Sequence, residues 1–279
     1  MPLIINTNTP AASGAKTLAS TNAALQKCLE RLSSGKRITQ PSDDAGGLAV
    51  SMKMEAAEHR TRVVEQNIGN AISFLQTQDG ALKTVTSILD RMSELKMMHQ
   101  DVTKSADDKA NYQTEFKALQ TQLGNLAAEK FNGVALFDNA GADLAVVITE
   151  DAAKSVNITQ AGLVGDDGLK VGGVGANDLT DTANTIDSAG ITIDNIRTAI
   201  QNIATMRAQN GAQSSQLGFS AEMLSINRIN LQAAISRITD VDVAEASGEL
   251  SKQQIRTQAG IAMLAQANSS PQAALSLLR

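Results

Sequence analysis

Apolar residues in the first half of the chain recur in alternating steps of three and four. Val64, Ile68, Leu75, Leu82, Val85, Leu89 and Met92 fall on the a and d seats of one heptad frame, with Ala71 and Gln78 in the seats between. The pattern predicts a helix from about Asp44 to about His99, roughly 84 Å long at ~1.5 Å per residue. A small domain is only about 30 Å across, so this helix needs a partner of comparable length. A second helix follows, carried by Tyr112, Phe116, Leu119, Leu123 and Leu126. Asp107 and Asp108 sit in its first turn, where negative charge meets the positive end of the helix dipole.

The C-terminal half repeats the device. Ile196, Ile203, Leu217, Leu224, Leu231 and Ile238 share one heptad seat, with Asn210 as its polar member. The paired seat is read as Ile193, Ile200 and Ile235, with Arg207 and Arg228. A helix from about Asp181 to Ile238 is expected, zipped against the first long one. The ends carry shorter stripes. Leu18, Leu25, Leu29 and Leu32 line an N-terminal helix; Val243, Ala246, Leu250, Ile261, Leu264 and Leu275 line a C-terminal one, with Leu278 beyond. Isolated helices are marginal in water, so each end needs the other end, other subunits, or both.

Between the halves the texture changes. FNGVALF (131–137) reads as an Asn-Gly turn between apolar residues. LAVVI (144–148) and SVNIT (155–159) read as a short hairpin within a segment, 138–180, that is rich in Gly and Asp. The fold class expected is mainly α: a long antiparallel helical bundle or coiled coil with a small β-hairpin region and paired termini.

Composition sharpens this picture. Of 279 residues, 42% are hydrophobic but only 2% aromatic, so Ala, Leu, Ile, Val and Met must fill the interior. That suits helix-on-helix packing and disfavours a compact enzyme with an aromatic-walled pocket. A net charge of -5 gives no basic footprint for nucleic acid. No run approaches 18 apolar residues, so no membrane span is expected. The start lacks the charged and apolar regions of a cleavable Sec-type signal peptide. A single cysteine, Cys28, excludes an intrachain disulfide and is read as a small core hydrophobe; the alternative is a reactive or intersubunit thiol.

No chemistry gathers along the chain. His59 and His99 are far apart and HExxH is missing. Asp43 and Asp44 precede GGLAVSM and read as helix-capping carboxylates rather than an acid–base pair. Gly46-Gly47 lacks phosphate-loop spacing. Asn157-Ile158-Thr159 fits the N-glycosylation pattern. No catalytic residue, metal ligand or cofactor is assigned.

Two stretches carry a family likeness. LERLSSGKRI (29–38) followed by SDDAGGLAVS (42–51), then ISFLQTQDGAL (72–82), closely resembles the N-terminal signature of bacterial flagellins. SRITDVDVAEASGELSKQQIRTQAGIAMLAQANSSPQAALSLLR (236–279) resembles the flagellin C-terminus almost throughout. The resemblance covers about 1–137 and 181–279. It implies a discontinuous terminal helical domain D0 (1–43 and 240–279), a helical rod D1 (44–137 and 181–239), and a short variable tip (138–180) with no separate outer domain. The function implied is that of a secreted, self-assembling subunit of the flagellar filament, a helical propeller outside the cell. The alternative is the hook–filament junction protein of the same superfamily. Assembly is then assigned to Leu18, Leu25, Leu29, Leu32, Leu250, Ile261, Leu264, Leu275 and Leu278. By the same resemblance the partners are further copies of the chain, an export chaperone, the type III flagellar export apparatus, and junction and cap proteins. A vertebrate innate receptor for flagellin is a further partner, with Arg91, Leu95 and Glu115 matching its contacts. Ser93 and Lys96-Met97-Met98 depart from that receptor motif.

Overall fold

The computed structural model describes residues 8–138, 143–160, 162–164, 168–170 and 178–276. In chain order the elements are α1 (Thr9–Ser34), α2 (Ala45–His99), α3 (Ala106–Ala127), β1 (Lys130–Phe131), β2 (Val134–Ala135), β3 (Asp143–Val147), β4 (Ser155–Thr159), α4 (Ile193–Thr239) and α5 (Val243–Ser276). β1 pairs with β2 and β3 with β4, both antiparallel. The chain divides into two compact units, Met1–Glu58 with Ile229–Arg279, and His59–Arg228. The boundaries expected at 43/44 and 239/240 fall in the connections between helices, whereas compactness divides the chain inside α2 and α4.

In the His59–Arg228 unit the heptad frame of α2 holds at every seat. Continued in both directions it runs from Thr61 to His99, and each residue on it is buried, Gln78 included. A second stripe on α2, Phe74, Ile88 and Leu95 with half-buried Ala81, faces other neighbours. It joins one hydrophobic cluster with Phe116 and Leu123 of α3, and Phe74 meets Phe131 of β1 edge-to-face at 5.9 Å. α3 begins in a reciprocal capping box between Ser105 and Asp108, so Asp108 does more there than oppose the dipole. The Asn-Gly turn forms as expected: Asn132 and Gly133 take φ of 49° and 83°, the pair of positive values a type I′ turn requires.

α4 corrects two expectations. Of the seats read from the sequence, Ile196, Ile203, Asn210, Leu217 and Leu224 are buried while Leu231 and Ile238 are half-buried; the paired buried seats are Ala199 and Met206, with Ile193 and Ile235 half-buried. Ile200 and Arg207 lie on the flank instead, only half-buried. There the Arg207 guanidinium grips Asp79 in two bonds (2.8 and 3.3 Å), and Arg228 reaches Glu65 at 3.1 Å. α4 also starts at Ile193 rather than near Asp181. Residues 181–192 form successive turns that bury Ile186 and Ile191, and the Thr192 hydroxyl accepts the Asn195 amide to start the helix. Polar side chains hold this segment. Lys96 Nζ donates to the Ile186 carbonyl at 2.5 Å, and Gln113 accepts the Ile186 amide at 2.6 Å. Gln120 donates to the Asp181 and Asn184 carbonyls. Burial pushes the Lys96 pKa down, with the Asp187 carboxylate opposing.

The terminal unit is built differently. α1 and α5 pack antiparallel, fixed at one end by Asn8 Nδ2 donating to the Ala267 carbonyl at 2.9 Å. A Cβ placed on Gly260 would lie 3.2 Å from Leu18 Cδ1, so glycine lets the two helices approach there. The connections at the other end are tied together. Arg37 N donates to the Thr239 carbonyl (2.6 Å), Val241 N to the Gly35 carbonyl (3.0 Å), and the Arg37 guanidinium to the Ile238 carbonyl (2.7 Å). A cation at the carboxyl end of α4 also suits its dipole. The two expected capping aspartates take separate jobs. Asp44 caps α2 by accepting the Gly47 amide at 2.8 Å, while Asp43 turns to Lys27 and Thr39. A Cβ on Gly47 would collide with that capping carboxylate, so glycine suits the position.

Candidate assembly surfaces

A helix of 26 residues with an apolar stripe ought to bury some of it, yet α1 has no buried residue. Leu18, Leu25 and Leu32 are half-buried, and Leu29 is 49% exposed. On α5, Leu250 and Leu264 are half-buried, while Ile261 is 55% exposed. Leu275 lies within α5, but its side chain is outside the described residues, as is Leu278 altogether. Thus the sequence-assigned leucines divide into two roles. Leu18 and Leu264 pack where α1 and α5 meet, since each lies against a glycine of the other helix. Leu29 and Ile261 point away from that contact.

Further apolar surface on α5 was not assigned from the sequence. Ile255 and Met263 are at least as exposed as Ile261; Val243, which the sequence stripe did include, is also exposed at the start of the helix. Ile255 and Met263 lie off the stripe that carries Ile261 and Leu264, so reading that stripe alone misses them. The signal available was the density of apolar residues all round this helix, which marks a helix covered on more than one side. Among the described residues of the unit the buried positions, Ile38, Ser51, Thr239 and Gln253, are mostly polar. Gln253 is held by its own helix, donating to Glu249 at 2.6 Å.

The electrostatics of the terminal unit centre on Asp43. The Lys27 ammonium, 2.5 Å away, and the amide and hydroxyl of Thr39 hold this carboxyl down at about 2. Lys27 belongs to α1, so the pair fastens that helix to the connection preceding α2. Cys28, its neighbour in sequence, is half-buried on α1.

The three receptor-matching residues do not form one surface. Arg91 and Glu115 are bound to each other by two bonds of 2.7 and 3.0 Å, and Arg91 also reaches Glu94 at 3.0 Å. Each raises the charge preference of the other: Glu115 and Glu94 hold the guanidinium proton more tightly, and Arg91 lowers the Glu115 pKa. Leu95 is fully buried, because it belongs to the second stripe of α2 that faces α3. It offers no side-chain surface to a partner of the folded chain.

No helix among the described residues is long and apolar enough to cross a membrane. The cavities are small or open. One, lined by Gln78, Leu82, Phe137 and Asn210 among others, has about 10 Å³ open to the centre of a water. A substrate needs some hundreds of Å³. Among the described residues the larger cavities, beside Leu29 and Gln40 and beside Asp79 and Arg207, are open to solvent, and the exposed apolar residues offer surfaces for other helices.

Comparison with known proteins agrees on the class of protein at both ends of the chain. A profile described as the bacterial flagellin N-terminal helical region matches residues 5–142, and one for the bacterial flagellin C-terminal helical region matches 193–278. Over 279 residues the chain is 36% identical to a flagellin of Halalkalibacterium halodurans, covering 99% of this chain and 100% of that one. It is 34% identical to the flagellar filament 33 kDa core protein of Treponema phagedenis, again over 99% of this chain and 100% of that protein. A flagellin of Bacillus subtilis is 34% identical, with 99% of each chain covered. The crystal structure of Bacillus cereus flagellin aligns with a TM-score of 0.47 at 26% identity, covering 57% of this chain and 88% of that one.

Proposed function

Because the chain belongs to the bacterial flagellin family and is a structural subunit of the flagellar filament, we propose that its terminal helices supply the repeating contact of that filament. The observation that carries this reading is α1, a 26-residue helix with an apolar stripe and no buried residue. A patch on one copy that fits a different patch on the next repeats without closing and yields a helical polymer. Leu29 of α1 and Ile255, Ile261 and Met263 of α5 are exposed in the single chain and become buried when copies pack. In this reading residues 1–43 and 240–279 form the D0 domain, 44–137 and 181–239 form D1, and 138–180 form a short tip. Match along nearly the whole of flagellins and a filament core protein favours the filament subunit over the hook–filament junction protein.

The finer partners follow from the same reading. The chain leaves the cell through the flagellar export apparatus with a chaperone, meets junction and cap proteins at assembly, and works outside the cell as part of a propeller. An innate flagellin receptor would meet Arg91 and Glu115 as a joined ion pair, without Leu95.

The test is limited proteolysis of monomer and of seeded polymer, with electron microscopy to establish that filaments form. The monomer is expected to lose both ends to the protease while the polymer keeps them. Equal trimming of both forms overturns the assignment of assembly to the terminal helices.

A further inference from the structure

The sequence holds two Asn-Gly pairs, Asn132-Gly133 and Asn210-Gly211. They carry the same reactive atoms in opposite surroundings. An asparagine followed by glycine is the pair most open to attack of a backbone nitrogen on the side-chain amide, because glycine has no Cβ to crowd the approach. Whether the attack happens depends on how cheaply the backbone there can leave its folded conformation.

Asn210 is 5% exposed, and its Nδ2 donates to the Leu75 carbonyl at 3.0 Å. Gly211 follows it inside α4, where its amide belongs to the helical ladder. Reaching the reactive geometry at this pair means opening α4 at a buried seat of its seam with α2. Asn132 and Gly133 are instead exposed, joining strands that are two residues long. A two-stranded hairpin is marginal by itself. Its tip also stands in open space: a Cβ placed on Gly133 would meet nothing within 4 Å.

We propose that Asn132 is a site of spontaneous deamidation, with water as the co-reactant, and that the fold shields Asn210 from the same reaction. The Gly133 nitrogen gives its proton to hydroxide and forms a bond to Asn132 Cγ. The Cγ–Nδ2 bond breaks, and the nitrogen leaves as ammonia after taking a proton from water. Water then opens the resulting succinimide at either carbonyl; no oxidant or reductant takes part. Breaking the new bond leaves an aspartate. Breaking the bond to the main-chain carbonyl leaves an isoaspartate, whose backbone runs through the former side chain and is longer by a methylene.

The two products differ in consequence. Asp-Gly suits a type I′ turn as Asn-Gly does, so the aspartate keeps Lys130 paired with Ala135 and Phe131 with Val134. An isoaspartate lengthens a loop whose length selects its turn, and so disturbs the Phe131 ring that meets Phe74. The site is independent of the filament reading, since the reaction needs only the folded monomer.

The experiment incubates the full-length monomer in mildly alkaline buffer, with and without denaturing urea, and follows both pairs by peptide mass spectrometry. In the folded chain Asn132 is expected to convert at least about tenfold faster than Asn210. In urea the two rates should come together, because the difference belongs to the fold. The Asn132 rate should rise in proportion to hydroxide, since the attacking nitrogen must first lose its proton. Equal rates in the folded chain, or conversion of Asn132 only in urea, overturns the proposal. A rate at Asn132 that ignores pH overturns the succinimide route. Fragmentation that separates the two products should find both, and aspartate alone would overturn the isoaspartate branch.

Discussion

The inner seam of α2 and the stripe of α1 are written in the same alphabet and end in opposite states. Both repeat Leu and its relatives in steps of three and four. On α2, every seat from Thr61 to His99 is buried within the chain. On α1, Leu18, Leu25, Leu29 and Leu32 follow similar spacing, and none is buried. The difference lies in the supply of neighbours. α2 meets α4 on one side and α3 with the β1–β2 turn on another. Among the described residues α1 packs along α5, with Lys27 reaching Asp43 in the connection before α2, and a two-helix contact covers one side of each. Heptad spacing declares that a face requires cover; it does not say which chain provides it.

The sharpest way to break this comparison is to remove one leucine from each region. Leu89→Ala empties a fully buried seat, and large-to-small changes of this kind cost about 3–5 kcal/mol. Urea unfolding followed by helical circular dichroism should show that loss in the monomer. Leu29→Ala, by contrast, should change monomer stability by no more than ~0.5 kcal/mol and should raise the critical concentration for seeded elongation. A monomer destabilised equally by both changes would mean that α1 is already covered in the single chain.

How far each region was legible follows from the same physics. α2 was readable to within a residue at both ends, because one frame runs unbroken from Thr61 to His99 and a capping aspartate, Asp44, marks its start. The inner seats of α4 were half legible. Ile200 looked a better core residue than Ala199, but small Ala199 and flexible Met206 face inward, leaving Arg207 at the flank to reach Asp79. The start of α4 was expected near Asp181, earlier than the first heptad seat at Ile193, where the helix begins. Gly190 and the turns held by Lys96, Gln113 and Gln120 occupy the stretch between. Leu95 was carried over from a family motif as a receptor contact, and it is buried. Its spacing of seven from Ile88 was the available sign that it faces a second helix. The exposed Ile255 and Met263 of α5 could be seen in the sequence as apolar positions off the main stripe, but their exposure depends on which neighbours exist.

A middle-sized effect tests whether the flank of the α2–α4 seam matters as its core does. Arg228 and Glu65 are each about a third exposed and joined by a single bond of 3.1 Å. Arg207 and Asp79 share two bonds at somewhat greater exposure. Replacing Arg228 or Arg207 by Met keeps the aliphatic cover of the seam and removes the charge. Each should cost about 1 kcal/mol or less, read from the urea midpoint, and the cost should shrink as salt rises. A loss as large as that of Leu89→Ala would show that the seam is held by its ion pairs rather than by its buried residues.

The smallest effect belongs to the terminal unit and is read through pH. Asp43 is shifted from an ordinary value of 3.8 to about 2, mainly by the Lys27 ammonium and then by the Thr39 amide and hydroxyl. A carboxyl whose pKa is lowered on folding contributes stability that is complete above its unfolded value. That contribution fades as pH falls from about 4 through about 2. Asp43→Asn lacks the titrating group, so the melting midpoint of the wild type should exceed that of the variant at pH 5. The gap should narrow steadily toward pH 2. Other carboxylates titrate over the same range, in both units, but they are common to the two proteins and cancel in the difference. A gap that stays constant from pH 5 to pH 2 would remove Lys27–Asp43 from the contacts fastening α1. The helix would then be held in the single chain by α5 alone, and the contrast with the well-covered seam of α2 would become sharper still.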